Sequence, residues 1–292
     1  MNVWIWVGII SAAVIILIIT AAVVIYFSNK RIDLTCYDVY DKRLPEGFDG
    51  AKIVQVSDLH NNVFGKRNEQ LIKKIKQIKP DYIFITGDFL DARKTKFSVC
   101  EQLAENLSSI APTYYCTGNH EVRIMHFLKK LEKKFRSYGI TNLRNKSVWL
   151  RRKGSMIRLS GADDPSFFKG VYEREDKEQI LSGILDSLVC RESYNILLSH
   201  KPGFYNCYEN AGFELVFSGH AHGGQFRLPG NIPLYVPDMG MFPKYVQGVS
   251  RINNTILVVS RGLGQSIIPF RINNSPELVA VTLHSSEAPA IK

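Results

Sequence analysis

Histidine, aspartate and asparagine side chains recur in five short motifs, each directly after a run of apolar residues. In chain order the motifs are Asp58-Leu-His60, Gly87-Asp88-Phe-Leu-Asp91, Gly118-Asn119-His120-Glu121, Ser199-His200 and Gly219-His220-Ala-His222. Imidazole nitrogens and carboxylate or amide oxygens bind divalent and trivalent metal ions, and none of the motifs contains a cysteine. The residue types therefore predict a metal site formed by these motifs.

A single motif of this kind is weak evidence, because one buried histidine is more often a hydrogen-bonded core residue than a ligand. Five of the seven histidines lie in these motifs, however, and only His126 and His284 lie outside them. The glycine neighbours allow tight turns and a close approach of the backbone to a ligand. A carboxylate such as Asp88 can bridge two ions about 3.5–4 Å apart, an arrangement that suits in-line displacement at phosphorus.

Short β-rich runs alternate with helical stretches after residue 50, which predicts an α/β fold. Predicted strands cover residues 52–58, 81–88, 111–120, 148–151, 156–161, 194–200, 213–220, 255–261 and 278–284, and predicted helices cover 65–79, 97–110, 122–138 and 173–189. Asp58, Asp88 and Asn119 are 30 and 31 residues apart, about one βαβ step each. Ligands of open α/β sheets gather at the carboxyl ends of the strands, so the five motifs are expected to converge on one pocket.

The N-terminus is predicted to be an uncleaved membrane anchor. Residues 3–27 contain no charged side chain, and roughly 20 helical residues are enough to cross the hydrocarbon core. Trp4, Trp6 and Tyr26 suit the two membrane interfaces. The predicted organisation is an anchor at 1–28, a juxtamembrane connector at 29–49 that enters the domain through an edge strand, and a catalytic domain at 50–292.

Basic residues follow the apolar run, while no lysine or arginine precedes it. Lys30, Arg31, Lys42 and Arg43 therefore favour a cytoplasmic catalytic domain by the positive-inside rule. An exported domain on the outer face is the alternative, because long domains can cross a membrane despite such a bias.

The composition, with a formal charge of +10, indicates acidic partners such as phosphates, anionic lipid or nucleic acid. A nucleic-acid site would need basic residues interleaved with stacking aromatics, and the sequence has no convincing stripe of that kind. The five cysteines are scattered without a CxxC pair, which argues against a disulfide framework and a thiolate zinc site.

The pattern D-x-H, G-D-x-x-D, G-N-H-E, H and G-H-x-H, from about residue 52 to residue 222, resembles the calcineurin-like metallophosphoesterase superfamily. The N-terminal apolar run, GADDP (161–165) and GHAHGGQ (219–225) are most similar to its small bacterial membrane-associated branch of YkuE-like and YaeI-like phosphohydrolases. The resemblance implies a two-layer β-sandwich flanked by helices, preceded here by one transmembrane helix.

The resemblance also implies a role for each motif residue. One metal ion would be held by Asp58, His60 and His222, and the other by Asn119, His200 and His220, with Asp88 bridging the two. His120 would serve as general acid at the leaving-group oxygen, oriented by the carboxylate of Asp91.

The expected function is hydrolysis of a phosphate ester by a hydroxide that bridges two divalent or trivalent ions (Mn, Fe, Zn or Mg, with Mn favoured). The anchor favours a lipid-linked or small phosphorylated substrate at the membrane. A phosphoprotein or nucleic-acid target and a non-catalytic scaffold of the same fold are the alternatives. The scaffold is disfavoured because every ligand and His120 are retained.

Three further features could take part in the site. The stretch from Leu228 to Tyr245, rich in Pro, Gly and large apolar residues, is either an ordered connecting loop or a lip facing substrate or membrane. Arg227 and Arg261 are candidates for phosphate contacts. Asp163 and Asp164 form either a turn before Pro165 or part of the site.

Overall fold

Two six-stranded sheets pack face to face in the computed structural model, which describes residues 3–265 and 270–289. The first sheet has the spatial order β1 (Asp33–Tyr40), β16 (Glu277–His284), β2 (Lys52–Val56), β3 (Tyr82–Thr86), β4 (Thr113–Cys116) and β5 (Thr141–Asn142). The second has the order β14 (Gly248–Ile252), β15 (Thr255–Val259), β9 (Leu215–Ser218), β8 (Asn195–Leu198), β7 (Ser155–Gly161) and β6 (Lys146–Arg152). The predicted β-sandwich is confirmed.

The α-helices are α1 (Val3–Lys30), α2 (Glu69–Ile78), α3 (Phe97–Ser108), α4 (Asn119–Val122), α5 (Met125–Ser137), α6 (Arg174–Leu188) and α7 (Tyr205–Ala211). Helices α2, α3, α5, α6 and α7 cover the outer faces of the two sheets, whereas most apolar residues of α1 are exposed. Apolar residues of α2, α3 and α5 pack with strands of the first sheet in one buried cluster, and those of α6 and α7 pack with the second sheet in another. A third cluster fills the space between the sheets, where the rings of Phe84 and Phe217 meet at 5.2 Å.

The strands that carry the sequence motifs run in the same direction within each sheet. Strands β2 to β5 are parallel to one another, and so are β7, β8, β9 and β15. Each of β2, β3, β4, β8 and β9 runs into a motif at its carboxyl end. The parallel pairing therefore brings five motifs to the same edge of the sandwich.

Three helices differ from the sequence prediction. The helix expected over 65–79 begins at Glu69, because Arg67 and Asn68 adopt left-handed backbone angles with φ of 55° and 62°. It ends at Ile78, since Lys79 is also left-handed and Pro80 follows. The short helices α4 and α7 were not predicted; the former opens directly on the ligand motif at Asn119.

Helix α1 extends over 28 residues and, by length and composition, is a candidate membrane span. After it, β1 pairs in parallel with β16 at the edge of the first sheet. This pairing provides the edge strand that was expected within the connector.

The Pro- and Gly-rich stretch after the last motif folds into two small hairpins. Strand β10 (Arg227–Leu228) pairs with β11 (Ile232–Pro233), and β12 (Tyr235–Val236) pairs with β13 (Gly240–Met241). The sequence did not reveal these strands because each is only two residues long.

Candidate metal centre

Donor atoms from four of the five motifs meet in two neighbouring groups at the carboxyl ends of the strands, and His60 also forms a third group with Asp91 and His120. Asp58, His60 and His222 form one group, and Asp88, His200 and His220 form the other, with the donor atoms of each group within 4.8 Å of one another. The Nε2 atoms of His60 and His222 are 3.3 Å apart. His200 Nε2 lies 3.3 Å from Asp88 Oδ2 and 3.9 Å from Asp58 Oδ1, so it connects the two groups.

Four buried side-chain atoms of the candidate ligands have no hydrogen-bond partner among the described residues. They are His60 Nδ1, Asn119 Oδ1, His200 Nε2 and His220 Nε2. The Nδ1 atom of His200 lies 2.8 Å from the carbonyl oxygen of Thr86, which only accepts, so Nδ1 carries a proton and the neutral ring leaves its lone pair on Nε2. Buried polar atoms are normally paired, so a lone pair aimed at two carboxylates needs a cation between them. The residues present therefore fit metal ions.

The charges of the cluster point to the same need for cations. Although burial lowers the pKa of His200, Asp88 and Asp58 raise it to about 10, so without a cation a proton occupies Nε2, and a metal ion bound there would displace it. Burial raises the pKa of Asp58, while His200 holds the pKa of Asp88 well below its usual range against the same effect of burial. Burial lowers the pKa of His60 to about 3, so His60 is a neutral donor at physiological pH.

Five of the candidate ligands adopt left-handed backbone angles, which L-residues other than glycine rarely take. They are Asp58, His60, Asp88, His220 and His222, with φ between 45° and 64°. Each such angle costs about 1–3 kcal/mol and persists only when the surrounding structure imposes it. The turns at the strand ends therefore direct these side chains inward, and their strained backbone angles lower the stability of the fold.

Glycines allow the strand ends to approach one another closely. A Cβ atom on Gly118 would collide with the backbone and carboxylate of Asp88, and one on Gly219 would collide with the side chains of Ser57 and Asp58. The glycine neighbours of the motifs are thus needed for space as well as for turns.

The buried carboxylate of Glu121 holds the loop that carries Asp88. Its Oε2 accepts hydrogen bonds from the amides of Asp88 (3.0 Å) and Gly118 (2.9 Å), and its Oε1 accepts from Phe89 (2.8 Å) and Leu90 (3.1 Å). Burial and the nearby charge of Asp88 raise the pKa of Glu121 to about 8, whereas four N–H donors favour the ionised form. We take Glu121 to be ionised, because a protonated carboxyl group would turn an O–H donor toward amides that already donate to both of its oxygens.

His120 lies at the side of the cluster with Nε2 4.0 Å from Asp88 Oδ2. Its Nδ1 accepts a hydrogen bond from the Ala92 amide at 3.2 Å, so the neutral ring carries its proton on Nε2. Asp91 Oδ1 lies 3.5 Å from Nδ1, and the same carboxylate forms a two-pronged pair with Arg93. The Nε2–H of His120 therefore points toward the metal-site side.

Arg271 is a residue of the site that the sequence motifs did not indicate. Its guanidinium is buried, donates to the carbonyls of Gly264 and Arg261, and lies 3.0 Å from His222 Nδ1. The backbone of Arg271 exchanges two hydrogen bonds with the side chain of Asn29 in the last turn of α1, at 2.8 and 2.9 Å. The helix end is thus joined to the loop that holds His222. Because Arg271 lies 49 positions from His222 and binds mainly carbonyl groups, no local pattern could have revealed it.

The second hairpin also reaches the site. Asp238 Oδ2, in the turn between β12 and β13, lies 3.4 Å from His220 Nε2 and 2.7 Å from Lys201 Nζ. The nearby ring of His220, together with Lys201, lowers the pKa of Asp238 far below its usual range. The carboxylate therefore fixes the ring of a candidate ligand from outside the cluster.

The two arginines considered for phosphate contacts pair with protein groups. Arg227 donates to the Gly223 carbonyl at 2.7 Å and to Gln247. Arg261 lies 3.1 Å from Glu277 and 3.5 Å from Asp33.

Asp163 and Asp164 have structural partners of their own. Asp163 pairs with Arg144 at 2.8 Å, and Asp164 Oδ1 caps the turn at Ser166. The other oxygen of Asp164 is buried and unpaired among the described residues.

The fold and the cluster together define an α/β sandwich with a metal site at its strand ends. The chain belongs to the calcineurin-like phosphoesterase family, whose sequence model matches residues 51–224. Members of this family use a dinuclear metal centre.

Curated relatives match most of the chain. It is 30% identical over 266 residues to an uncharacterized metallophosphoesterase, YkuE, of Bacillus subtilis, covering 89% of this chain and 88% of that protein. It is 27% identical to the phosphodiesterase YaeI of Escherichia coli, covering 80% and 82% of the two chains. It is 28% identical to a transmembrane protein with a metallophosphoesterase domain from Danio rerio, covering 83% of this chain and 55% of that protein.

Proposed function

We propose that this protein is a metal-dependent hydrolase of phosphate esters. One ion would be held by Asp58, His60 and His222 and a second by Asn119, His200 and His220, with Asp88 between them. The observation that carries the proposal is the buried lone pair of His200 Nε2, aimed at two carboxylates without a partner among the described residues. Divalent ions lower the pKa of a bound water and stabilise charge on phosphoryl oxygens. Ligands of these types accept several ions, and availability in the cell decides among them; Mn is our first choice.

The residues of the chain position the reactants and handle the proton. His120 directs Nε2–H toward the side of the cluster where a leaving group would lie, and Asp91 stands ready to pair with Nδ1–H of the protonated ring. A histidine in such a position typically contributes about 10²–10⁴ in rate as a general acid. Glu121 keeps the Asp88 loop in place through four amide hydrogen bonds.

The anchor supports a substrate at the membrane, either lipid-linked or a small phosphorylated molecule. Asn29 in the last turn of α1 binds the backbone of Arg271, whose side chain contacts His222. The membrane helix and the metal site are therefore close neighbours, which favours such a substrate over a phosphoprotein or a nucleic acid. We place the domain on the cytoplasmic side, because the basic residues follow the span.

The test is hydrolysis of p-nitrophenyl phosphate and bis-p-nitrophenyl phosphate by the full chain in detergent, with and without Mn²⁺. Asp88→Asn keeps the size of the side chain and removes the charge between the two groups. The matched control is Asp186→Asn, an exposed position on α6. We expect metal-dependent release in the wild type and control and its loss in Asp88→Asn. Metal-loaded, folded wild-type protein that hydrolyses neither ester nor any lipid phosphate would count against an enzyme and favour a scaffold.

The role of His120 requires a substrate with a poor leaving group, such as an alkyl phosphate. His120→Ala should lower the rate on that ester by about 10²–10⁴ and lower it much less on a p-nitrophenyl ester, which needs no acid. His126→Ala, at an exposed histidine of α5, is the control. Full activity of His120→Ala on the alkyl ester would rule out the acid role.

A further inference from the structure

The two hairpins after the last motif present large apolar side chains to solvent. We call this surface the lip and define it as Leu228, Ile232, Tyr235, Met241 and Phe242. Each of these residues is between 42% and 61% exposed. Clusters of exposed apolar side chains next to a functional site commonly mark a surface that binds a protein, a ligand or a membrane.

The lip continues into the end of the anchor helix. The Arg227 amide, in the first hairpin, donates to the Ile272 carbonyl at 3.3 Å, and the rings of Phe226 and Phe270 lie 5.8 Å apart. Phe270 in turn lines a cavity together with Ile25 and Tyr26 of α1. Phe226 and Phe270 thus connect the hairpins with the last turns of the helix.

The lip also borders the metal centre. Asp238 lies in the turn that connects the strands carrying Tyr235 and Met241, and its carboxylate is 3.4 Å from His220. A Cβ atom on Gly224, directly after the last motif, would collide with Pro233 of the first hairpin. The same hairpins therefore contact the site on one side and expose apolar residues on the other.

We propose that the lip rests in the interface of the bilayer that α1 enters, so that the metal centre opens at the level of the lipid headgroups and acts on the phosphate of a membrane lipid. The argument for a bilayer is the continuity of the lip with a candidate span whose last turn carries Tyr26, a residue type that favours the interface. Lys30 ends the helix and Arg31 follows it, and their charges complement anionic headgroups. The membrane docking of the lip is argued from this geometry alone, whereas the lipid substrate also depends on the proposed phosphoesterase activity.

Interfacial elements bury their apolar faces about 5–10 Å into the boundary between headgroups and acyl chains, which is the depth a fluorescent probe can report. The full chain carrying Trp4→Phe and Trp6→Phe retains Trp149 in β6 as a constant reference. Met241→Trp then places a probe in the lip. Met156→Trp, at the start of β7 and so at the opposite edge of the sandwich, is the matched control.

Both proteins are reconstituted into vesicles of phosphatidylcholine and phosphatidylglycerol with brominated acyl chains. The added emission of Met241→Trp should be blue-shifted and mostly quenched by the bromolipid, while that of Met156→Trp should be unchanged. Equal quenching of the two probes, or none, would overturn the docking. Protection of Met241→Trp from an aqueous quencher without bromolipid quenching would also overturn it, and would indicate a second copy of the chain on the lip.

Activity separates the docking from the chemistry. Met241→Ser should lower the rate on phosphatidic acid in vesicles relative to the rate on soluble bis-p-nitrophenyl phosphate, and Met156→Ser should leave that ratio unchanged. An unchanged ratio in Met241→Ser would refute the lipid substrate. Quenching as expected, without metal-dependent hydrolysis of either ester, would refute the phosphoesterase function and leave the docking intact.

Discussion

Replacement of Glu121 by glutamine tests whether a buried carboxylate organises the metal loop. The two oxygens of Glu121 each accept two backbone amides, at 2.8–3.1 Å. In Glu121→Gln one oxygen becomes an NH₂ group, so two of the four amides face a donor whichever way the side chain is turned. Each buried amide left without an acceptor costs about 1–3 kcal/mol, and two therefore cost roughly 2–6 kcal/mol.

A loss of this size is measurable by thermal unfolding of the metal-free full chain in detergent. It corresponds to a decrease in Tm on the order of 10 °C for a protein of this length. The matched control is Glu105→Gln, at an exposed position of α3, which should change Tm by less than about 1 °C. Because the amides of Asp88 and Phe89 are among those affected, Mn²⁺ titration should also show weaker binding in Glu121→Gln.

The pH dependence shows which charge state of Glu121 matters. A group whose pKa in the folded state is raised to about 8 from 4.5 binds its proton more tightly in the fold, so its contribution to stability is lost as pH rises through 8. If Glu121 is ionised in the fold, as the four amides favour, the decrease in Tm is already complete at pH 6. A decrease in Tm that is largest at pH 6 and becomes smaller as pH rises through 8 would refute our description of an ionised carboxylate.

Three other substitutions have clear expected outcomes. Gly118→Ala should abolish metal binding, measured by Mn²⁺ titration, because its Cβ would collide with Asp88, whereas Gly183→Ala in helix α6 has open space and should be neutral or stabilising. Asp41→Asn should lower the free energy of unfolding, measured in urea, above about pH 4. Burial alone raises the pKa of Asp41, but hydrogen bonds from Arg43 hold it below 3.8. Because a carboxyl group with a lowered pKa stabilises the fold only while it is ionised, the difference in free energy between wild type and variant should become smaller at lower pH. Arg271→Lys should lower stability by about 3–5 kcal/mol and weaken Mn²⁺ binding, because one ammonium cannot replace the several contacts of a buried guanidinium; unchanged unfolding and metal affinity would contradict its role.

The sequence predicted the elements that follow local rules. Apolar runs ending on Asp58, Asp88 or His200 indicated strands, and the parallel arrangement of α/β sheets places strand ends at one edge, which the structure also has. The β-sandwich was predicted from a resemblance and is confirmed by the two packed sheets.

The groups that support the site were harder to predict. Glu121 stands inside a motif, yet its role depends on four backbone amides, which every residue type supplies. Arg271 contacts His222 from 49 positions further along the chain, and Asp238 contacts His220 from 18 positions further. No periodic pattern in the sequence connects either pair. The parallel pairing of β1 with β16 joins the two ends of the domain and likewise leaves no local signal.

The hydrogen bonds of Asn29 have a practical consequence for making a soluble form of this protein. A truncation designed by hydropathy alone would start the chain after Lys30, where the apolar helix ends. Such a fragment would lack Asn29, whose side chain binds both the amide and the carbonyl of Arg271. The backbone of Arg271 would then be held less firmly beside His222. Activity measured on the fragment would then underestimate that of the intact enzyme. A fragment starting near Ile25, with its few apolar residues held in detergent, retains the last helical turn and is the better starting point for crystallisation and kinetics.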